Sequence, residues 1–342
     1  MKAVRFHSFG NAEVLRYEDA PKPTLGPADI LVNLRASALN HLDVWVRSGA
    51  REKKISLPHI PGSDGAGQVA EVGSEVRSVR AGDCVLIYPG ISCGRCEYCR
   101  ARKENLCSTY HVLGTLEDGT YAEFVRIPAV NAVRIPEGMD FHQASAFPLV
   151  FLTAWHMLVT LANLQRGETV LVHGARSGVG SAGIQVAKLM GARVITTVGT
   201  DDGIAKSKDI GADEVINYRS TDFVEEIRRL TDKRGVDVVF EHIGGEVFEK
   251  SLTVIRKGGR LVTCGATTEY VGKVDLRYVY SRHLTIFGSF MGTKAELLEA
   301  LKFFEQAKLF PVIDKVFPLS QAAEAQRRME ERKHFGKIVL EV

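Results

Sequence analysis

No run of residues in this 342-residue chain is long and apolar enough to cross a bilayer. The greasiest stretch, residues 147–162, is broken by Pro148, Thr153, His156 and Thr160, whereas a span needs about 20 mainly apolar residues. The opening MKAVRFHSFG lacks the apolar segment of a signal peptide, so the expectation is a cytoplasmic protein with no membrane partner. An excess of charge is missing too. The 44 Lys and Arg against 41 Asp and Glu leave a formal net charge of +3, and so even a balance argues against nucleic acid as a partner. What remains is ordinary globular composition, 45% apolar and 25% charged, which excludes disordered and collagen-like classes. At roughly 150 residues per domain, the length predicts two domains, each able to bury a core.

The chain has two textures. Up to about residue 150, short β-rich runs (30–38, 67–72, 85–88, 121–127) lie between Gly- and Pro-rich turns such as PKPTLGPAD and HIPGSDGAG, the pattern of a barrel-like or sandwich-like domain. From about 151, strands and helices alternate. Strands are expected at 169–173, 193–198, 214–216, 236–240, 260–264 and 284–288, and helices at 180–190, 206–210 and 223–231. These strands are short and almost wholly apolar, as in a parallel sheet covered on both faces, and the alternation predicts a doubly wound α/β fold. Beyond 291 come a helix opened by the capping box Thr293-Lys-Ala-Glu296, a helix over 321–332, and a closing strand at 337–342. That tail is too short to stand alone, so it is expected to return to the N-terminal domain.

The strand ending at Val172 runs into His173-Gly-Ala-Arg-Ser-Gly-Val-Gly180 and then a helix. A dinucleotide pyrophosphate needs a tight turn, close backbone approach and N–H groups at a helix N-terminus. Ser177, Gly178, Val179 and Gly180 are placed to supply them, with Val179 facing the sheet and Gly183 and Ala187 allowing close helix–strand packing. Ala175 and Ser177 stand where the usual first two glycines would be, so the context of strand, turn and helix carries the reading. The next strand ends in Gly199-Thr200. An acid there would hold the ribose 2′-hydroxyl of NAD. Its absence favours NADP, with NAD as the alternative because Asp201 and Asp202 follow closely.

Of six cysteines, four crowd into Cys93-x2-Cys96-x2-Cys99-x7-Cys107. In a reducing compartment this spacing reads as a metal site before it reads as disulfides. Four thiolates complete a tetrahedral Zn²⁺ and leave no place for water, so the zinc is structural and its binding folds the loop. Cys84 and Cys264 fall on expected strands and read as small buried hydrophobes.

Together, Pro61-Gly-Ser-Asp-Gly-Ala-Gly67, the cysteine lobe, the Ala175–Gly180 turn and the interrupted domain order resemble the medium-chain dehydrogenase/reductase superfamily of zinc alcohol dehydrogenases and quinone oxidoreductases. The resemblance spans essentially the whole chain. It implies a GroES-like, β-rich catalytic domain formed by residues 1–150 and 291–342, carrying the zinc lobe (93–107), and a Rossmann domain over 151–290. It also locates a departure. The family's catalytic zinc sits on Cys, His and Cys, and the matching positions here are Asn40, Ser63 and a place near Leu149. Asn, Ser and Leu do not rebuild a catalytic zinc site, which takes about three His, Cys or carboxylate ligands. The nearby Asp43, Asp64, His41 and His59 leave a non-standard metal site open.

The resemblance therefore points to the branch that keeps the structural zinc without the catalytic one. There a hydride from NAD(P)H adds to a quinone, an enone or an enoyl thioester, and hydrogen-bond donors stabilise the developing charge. It implies nicotinamide contacts from Asn40 and Thr153. Thr200, Tyr218 and Arg332 are placed for the 2′-phosphate, and His242 and Ile243 for the adenosine ribose. Gly265, Ala266, Phe287 and Ser289 follow the last two strands, and Lys337 stands near the cofactor. Asn40, His41 and Asp43 are the candidate catalytic groups. Two other readings stay open: an alcohol dehydrogenase with a non-standard metal site, and a non-catalytic dinucleotide- or nucleic-acid-binding protein. The strand at 284–288 closes the sheet order, and an unpaired edge there predicts a homodimer or homotetramer.

Overall fold

The computed structural model describes residues 1–50 and 55–342. The chain divides into two compact units, one formed by Met1–Leu149, Thr293–Glu305 and Phe310–Val342, the other by Val150–Gly292 and Gln306–Leu309.

In the first unit, β1 (Lys2–Arg5) and β2 (Arg16–Asp19) form an antiparallel ribbon. The long β3 (Asp29–Ala38) pairs antiparallel with β4 (Asp64–Val72), which pairs with β5 (Cys84–Ile87). A second ribbon joins β6 (Gly90–Ile91) to β7 (His111–Val112), while β8 (Phe124–Pro128) pairs with β3 and β9 (Ala132–Arg134) with β5. Period-two alternation sends Ile30, Val32 and Leu34 to one face, where they meet Val69, Val85, Ile87, Val125 and Ile127 in one core. Cys84 corrects an expectation. It opens β5 opposite Gln68, at a point the core does not cover, and is exposed.

The second unit holds β10 (Thr169–Val172), β11 (Arg193–Val198), β12 (Glu214–Asn217), β13 (Val236–Glu241), β14 (Ile255–Thr263) and β15 (Thr285–Gly288). All pair in parallel, in the order β12-β11-β10-β13-β14-β15, which is the doubly wound order that reverses beside the first strand. Two helices not expected from the sequence, Gly245–Thr253 and Leu276–Arg282, follow β13 and precede β15. The first opens on two glycines at positive φ, Gly244 and Gly245, a signature that reads locally as a break. β14 begins five residues before its expected start. Ile255 already pairs with Val236, and a register shift absorbs the Lys-Gly-Gly259 segment, as a bulge does. Cys264 lies one residue past β14 and is half-buried.

The chain then returns to the first unit. Thr293 and Glu296 form the expected box, with Thr293 N donating to Glu296 Oε2 at 2.6 Å and Glu296 N donating to Thr293 Oγ1 at 3.3 Å. It opens the helix Lys294–Glu305. β16 (Ile313–Pro318), the helix Ala322–Glu330 and β17 (Lys337–Glu341) follow. β17 runs antiparallel to β3 and parallel to β16, completing the order β16-β17-β3-β4-β5-β9. The wholly buried Arg47 fastens the helix His41–Ser48 to this tail. Its Nη2 lies 2.6 Å from Glu330 Oε1 and its Nη1 donates to Gln326 Oε1 at 2.6 Å. A charge so placed needs such partners, because leaving it unpaired costs several kcal/mol, on the order of 3–5.

Candidate functional site

The turn after β10 is built from backbone requirements. Gly174 has a φ of +64°, and a Cβ on Gly180 would lie 2.2 Å from Gly174 O, so neither position accepts a side chain without opening the turn. Ser177 caps the helix Gly178–Leu189 by accepting from Gly180 N at 2.9 Å, as N-cap serines do. The helix thus starts two residues earlier than expected. Gly183 rests against the Phe240 ring, whereas Val179 is only half-buried and does not fill the role of a sheet-facing residue.

His242 braces the turn from below. It is buried, pairs with His173 O at 2.9 Å and lies near Gly174. Burial lowers the pKa of both His242 and His173, the latter to about 3. At the tips of the parallel strands, Ser289 is buried with no partner for its Oγ among the described residues, and its N–H donates to Thr263 O at 2.8 Å. A turn whose Gly180 leaves no room for a Cβ and a buried hydroxyl without a partner, both at the carboxyl ends of the strands, fit a dinucleotide.

In the first unit, Asn40, Asp64 and Lys337 form one buried cluster, although 24 to 297 residues separate them. Asn40 Nδ2 donates to Asp64 Oδ2 at 3.0 Å. Lys337 Nζ donates to Asn40 Oδ1 at 2.6 Å and to Asp64 Oδ2 at 3.0 Å. Leu149 N donates to Asp64 Oδ1 at 3.0 Å. Asp43, also buried, accepts from Asn40 N at 2.9 Å and from Tyr121 Oη at 3.0 Å. Burial pushes its carboxyl up to about 7, against the opposing hydrogen bond from Asn40 N and the charge of Lys337. Beside Asp64, Ser63 is buried and its Oγ has no partner among the described residues.

The four cysteine sulfurs of the lobe all lie within 4.8 Å of one another, with Cys96 and Cys99 3.5 Å apart and Cys93 and Cys99 3.9 Å apart. Tetrahedral Zn–S bonds of about 2.3 Å require sulfurs about 3.8 Å apart, so the donors fit one Zn²⁺. Backbone N–H donation, chiefly at Cys93 and helped by Thr109, lowers the Cys107 thiol to about 6, while at Cys96 backbone donation from Cys99 is outweighed by burial and the neighbouring thiols, which push that thiol up to about 11. Among the described residues this is the one cluster of three or more His, Cys, Asp or Glu side chains able to converge on an ion. His41 packs edge-on to Trp45, and His59 bonds Gly114 O.

Comparison with known proteins agrees with this geometry. Residues 26–137 match the alcohol dehydrogenase GroES-like domain, and residues 178–306 match the zinc-binding dehydrogenase family. An NAD-dependent alcohol dehydrogenase of Sulfolobus acidocaldarius is 33% identical over the whole of both chains. The chain belongs to the medium-chain dehydrogenase/reductase superfamily. Within it, a quinone oxidoreductase of Homo sapiens is 30% identical, covering 96% of this chain and 94% of its own. The crystal structure of an NAD-dependent alcohol dehydrogenase superposes with a TM-score of 0.96 at 47% identity, with full coverage of both chains. This medium-chain dehydrogenase/reductase is accordingly an oxidoreductase with a GroES-like domain and a Rossmann sheet.

The remaining candidates fall in both units. Thr153 is buried, with Oγ1 4.0 Å from Met291 Sδ. Thr200 follows β11, and the half-exposed Tyr218 sets its hydroxyl against Gly199, where a Cβ would be 2.5 Å away. Ile243, Gly265, Ala266 and Phe287 lie at or just past strand ends in the second unit. Arg332 and Lys337 belong to the first unit. Sequence reasoning missed Glu241. It is fully buried at the end of β13, accepts from Ile243 N and Gly244 N at 2.6 and 2.7 Å, and takes Thr263 Oγ1 at 2.8 Å. It thereby sets the loop that carries His242. It also missed Asp64 as the hub of the buried cluster. The signal for both was an acid inside an otherwise apolar or glycine-rich strand.

Proposed function

We propose that this enzyme is an NAD(P)H-dependent reductase of quinones or α,β-unsaturated carbonyl compounds, enoyl thioesters included, that works without a catalytic metal. The observation that carries the reading is the donor set at the Asn40 cluster. Both oxygens of Asp64 are engaged, by Leu149 N on one side and by Asn40 and Lys337 on the other. Asp43 is held by Asn40 N and Tyr121 and carries a proton up to about neutrality. A lysine ammonium inside the cluster repels a dication, and Asn, Ser and Leu offer no His or Cys ligand.

Bound NAD(P)H would supply a hydride to the electrophilic carbon of the acceptor, whose displaced electron pair settles on oxygen. Conjugation spreads that charge, and hydrogen-bond donors suffice to stabilise it. Lys337, a buried cation with one N–H donor left beyond those given to Asn40 and Asp64, and Ser63, a buried hydroxyl with no partner among the described residues, are the groups this chain offers. Asp43 can hold the proton that completes the reduction. The Ser177–Gly180 turn takes the pyrophosphate, and Ser289 meets the nicotinamide end. The names of two relatives favour a second reading, alcohol–aldehyde interconversion. Oxidising a plain alcohol needs a group that takes its proton, which bound zinc normally assists.

A coenzyme-consumption screen over quinones, enones, enoyl thioesters, aldehydes and alcohols, run with metal analysis, separates the two. The reductase reading expects turnover of an activated acceptor, one zinc per chain, and a rate unaffected by mild chelation. Two zincs per chain with chelator-sensitive alcohol oxidation would establish the alternative.

A further inference from the structure

Arg176 lies inside the glycine turn yet points away from the pyrophosphate cradle, toward the tip of β11. Its Nη1 donates to Thr200 Oγ1 at 2.6 Å and to both oxygens of Asp202, at 3.0 and 2.9 Å. Among the described residues these bonds all leave from one nitrogen, while Nε is buried with no acceptor. The guanidinium is therefore under-used by the protein itself, since arginine presents five donors in a rigid fork. Asp202 opens the next helix, and Gly203 follows it with the position of its missing Cβ only 3.5 Å from Arg176 Cδ, so the stem of the arginine lies across that first turn. The neighbouring acid does not compete for the arginine, because Asp201 Oδ1 accepts from Asn217 Nδ2 at 2.7 Å.

The tip of β11 thus carries a cation with one internal anion on it. Asp202 is mostly exposed, with a side-chain accessibility of 60%, against 19% for Arg176. An exposed carboxylate on a half-sheltered guanidinium is a replaceable partner, since surface pairs contribute little and are screened by salt. A phosphate brings two negative charges and three acceptor oxygens against the carboxylate's one charge and two oxygens, and it takes the arginine fork bidentately as a carboxylate does.

We propose that Arg176 and Asp202 form a coenzyme-selecting pair. Arg176 receives the 2′-phosphate of NADP(H), and Asp202 is the internal anion that this phosphate must displace. Asp202 then holds NADP(H) affinity down while leaving a 2′-hydroxyl unpenalised. The chain takes both coenzymes, with the ratio set by one carboxylate. The proposal deepens the coenzyme reading above and rests on it.

The test is direct titration of NADPH and of NADH, followed by fluorescence, on the full chain and on three variants: Asp202→Asn, Arg176→Ala and the double change. Replacing Asp202 by Asn should raise the NADPH-to-NADH affinity ratio roughly tenfold, and Arg176→Ala should lower it by about as much, as expected for one charge-assisted contact. In the double variant the gain from Asp202→Asn should vanish, because its target is gone. An unchanged ratio in Asp202→Asn, or a gain that survives in the double variant, would overturn the pair. If the unaltered chain binds neither coenzyme, the coenzyme reading falls first and the pair falls with it.

Discussion

Lys337 Nζ stands 3.0 Å from Asp64 Oδ2 with both side chains buried, joining a residue of the closing strand to the first residue of β4. Removing one partner of such a pair strands the other charge in a medium that cannot solvate it. Lys337→Met should therefore destabilise the protein by on the order of 3–5 kcal/mol. Adding Asp64→Asn should return much of that loss. Urea unfolding of the single and double variants checks this; a single variant as stable as the parent would show that the pair is not a buried charge pair in solution.

The four-cysteine lobe predicts metal content. Elemental analysis should find one zinc per chain. Cys107→Ser should lose it and lower Tm, because the binding energy of a closed zinc site is folding energy. Retention of a full equivalent of zinc in the variant would place the metal elsewhere.

Asp43 gives a signed pH dependence. Its folded carboxyl sits at about 7, well above the ordinary value of about 4. Between those limits the folded protein holds more protons than the unfolded chain, so this group's contribution to stability falls as pH rises from about 4 to 7 and is flat above. Asp43→Asn keeps an acceptor for Asn40 N and Tyr121 and removes the titration. Stability measured across that range should decline less steeply in the variant. The two curves should diverge by a few kcal/mol in all, on the order of 1.4 kcal/mol for each pH step of one crossed between the two limits. Parallel curves would mean that Asp43 does not titrate there.

The second unit ends in a strand that is poorly covered. β15 is last in the sheet order, and Ile286 on it, with Tyr270, Val271, Leu276 and Tyr280 nearby in sequence, is exposed. Parallel sheets bury both faces, and an open edge beside apolar side chains invites a second chain. A dimer or tetramer in light scattering is expected, with Ile286→Lys shifting it toward monomer. A monomeric parent protein would contradict this.

Local and distant information part company in this chain. The cysteine lobe and the glycine turn were legible because each is complete within fifteen residues or fewer. Cysteine spacing fixes which sulfurs can meet on one ion, and the backbone of Gly174–Gly180 needs glycine wherever it occurs. The six parallel strands were legible from their apolar runs, whereas β1, β2 and β16, which are short and half polar, were not. The start of β14 was not, because Gly258 and Gly259 read locally as a turn and only pairing with β13 makes them a bulge. Cys84 looked like a core residue from its strand, and its place at an uncovered strand end makes it exposed.

From the sequence alone come the superfamily, the two textures and the four-cysteine lobe, since each is written in residues close in the chain whose chemistry does not depend on what lies across the fold. The tertiary structure alone decided that Lys337 closes on Asn40 and Asp64, that Leu149 contributes a backbone N–H to the same carboxylate, and that Arg176 is already held by Asp202. Those pairings join residues far apart in the chain. Their energies depend on distance and burial, and neither quantity exists until the sheets have formed.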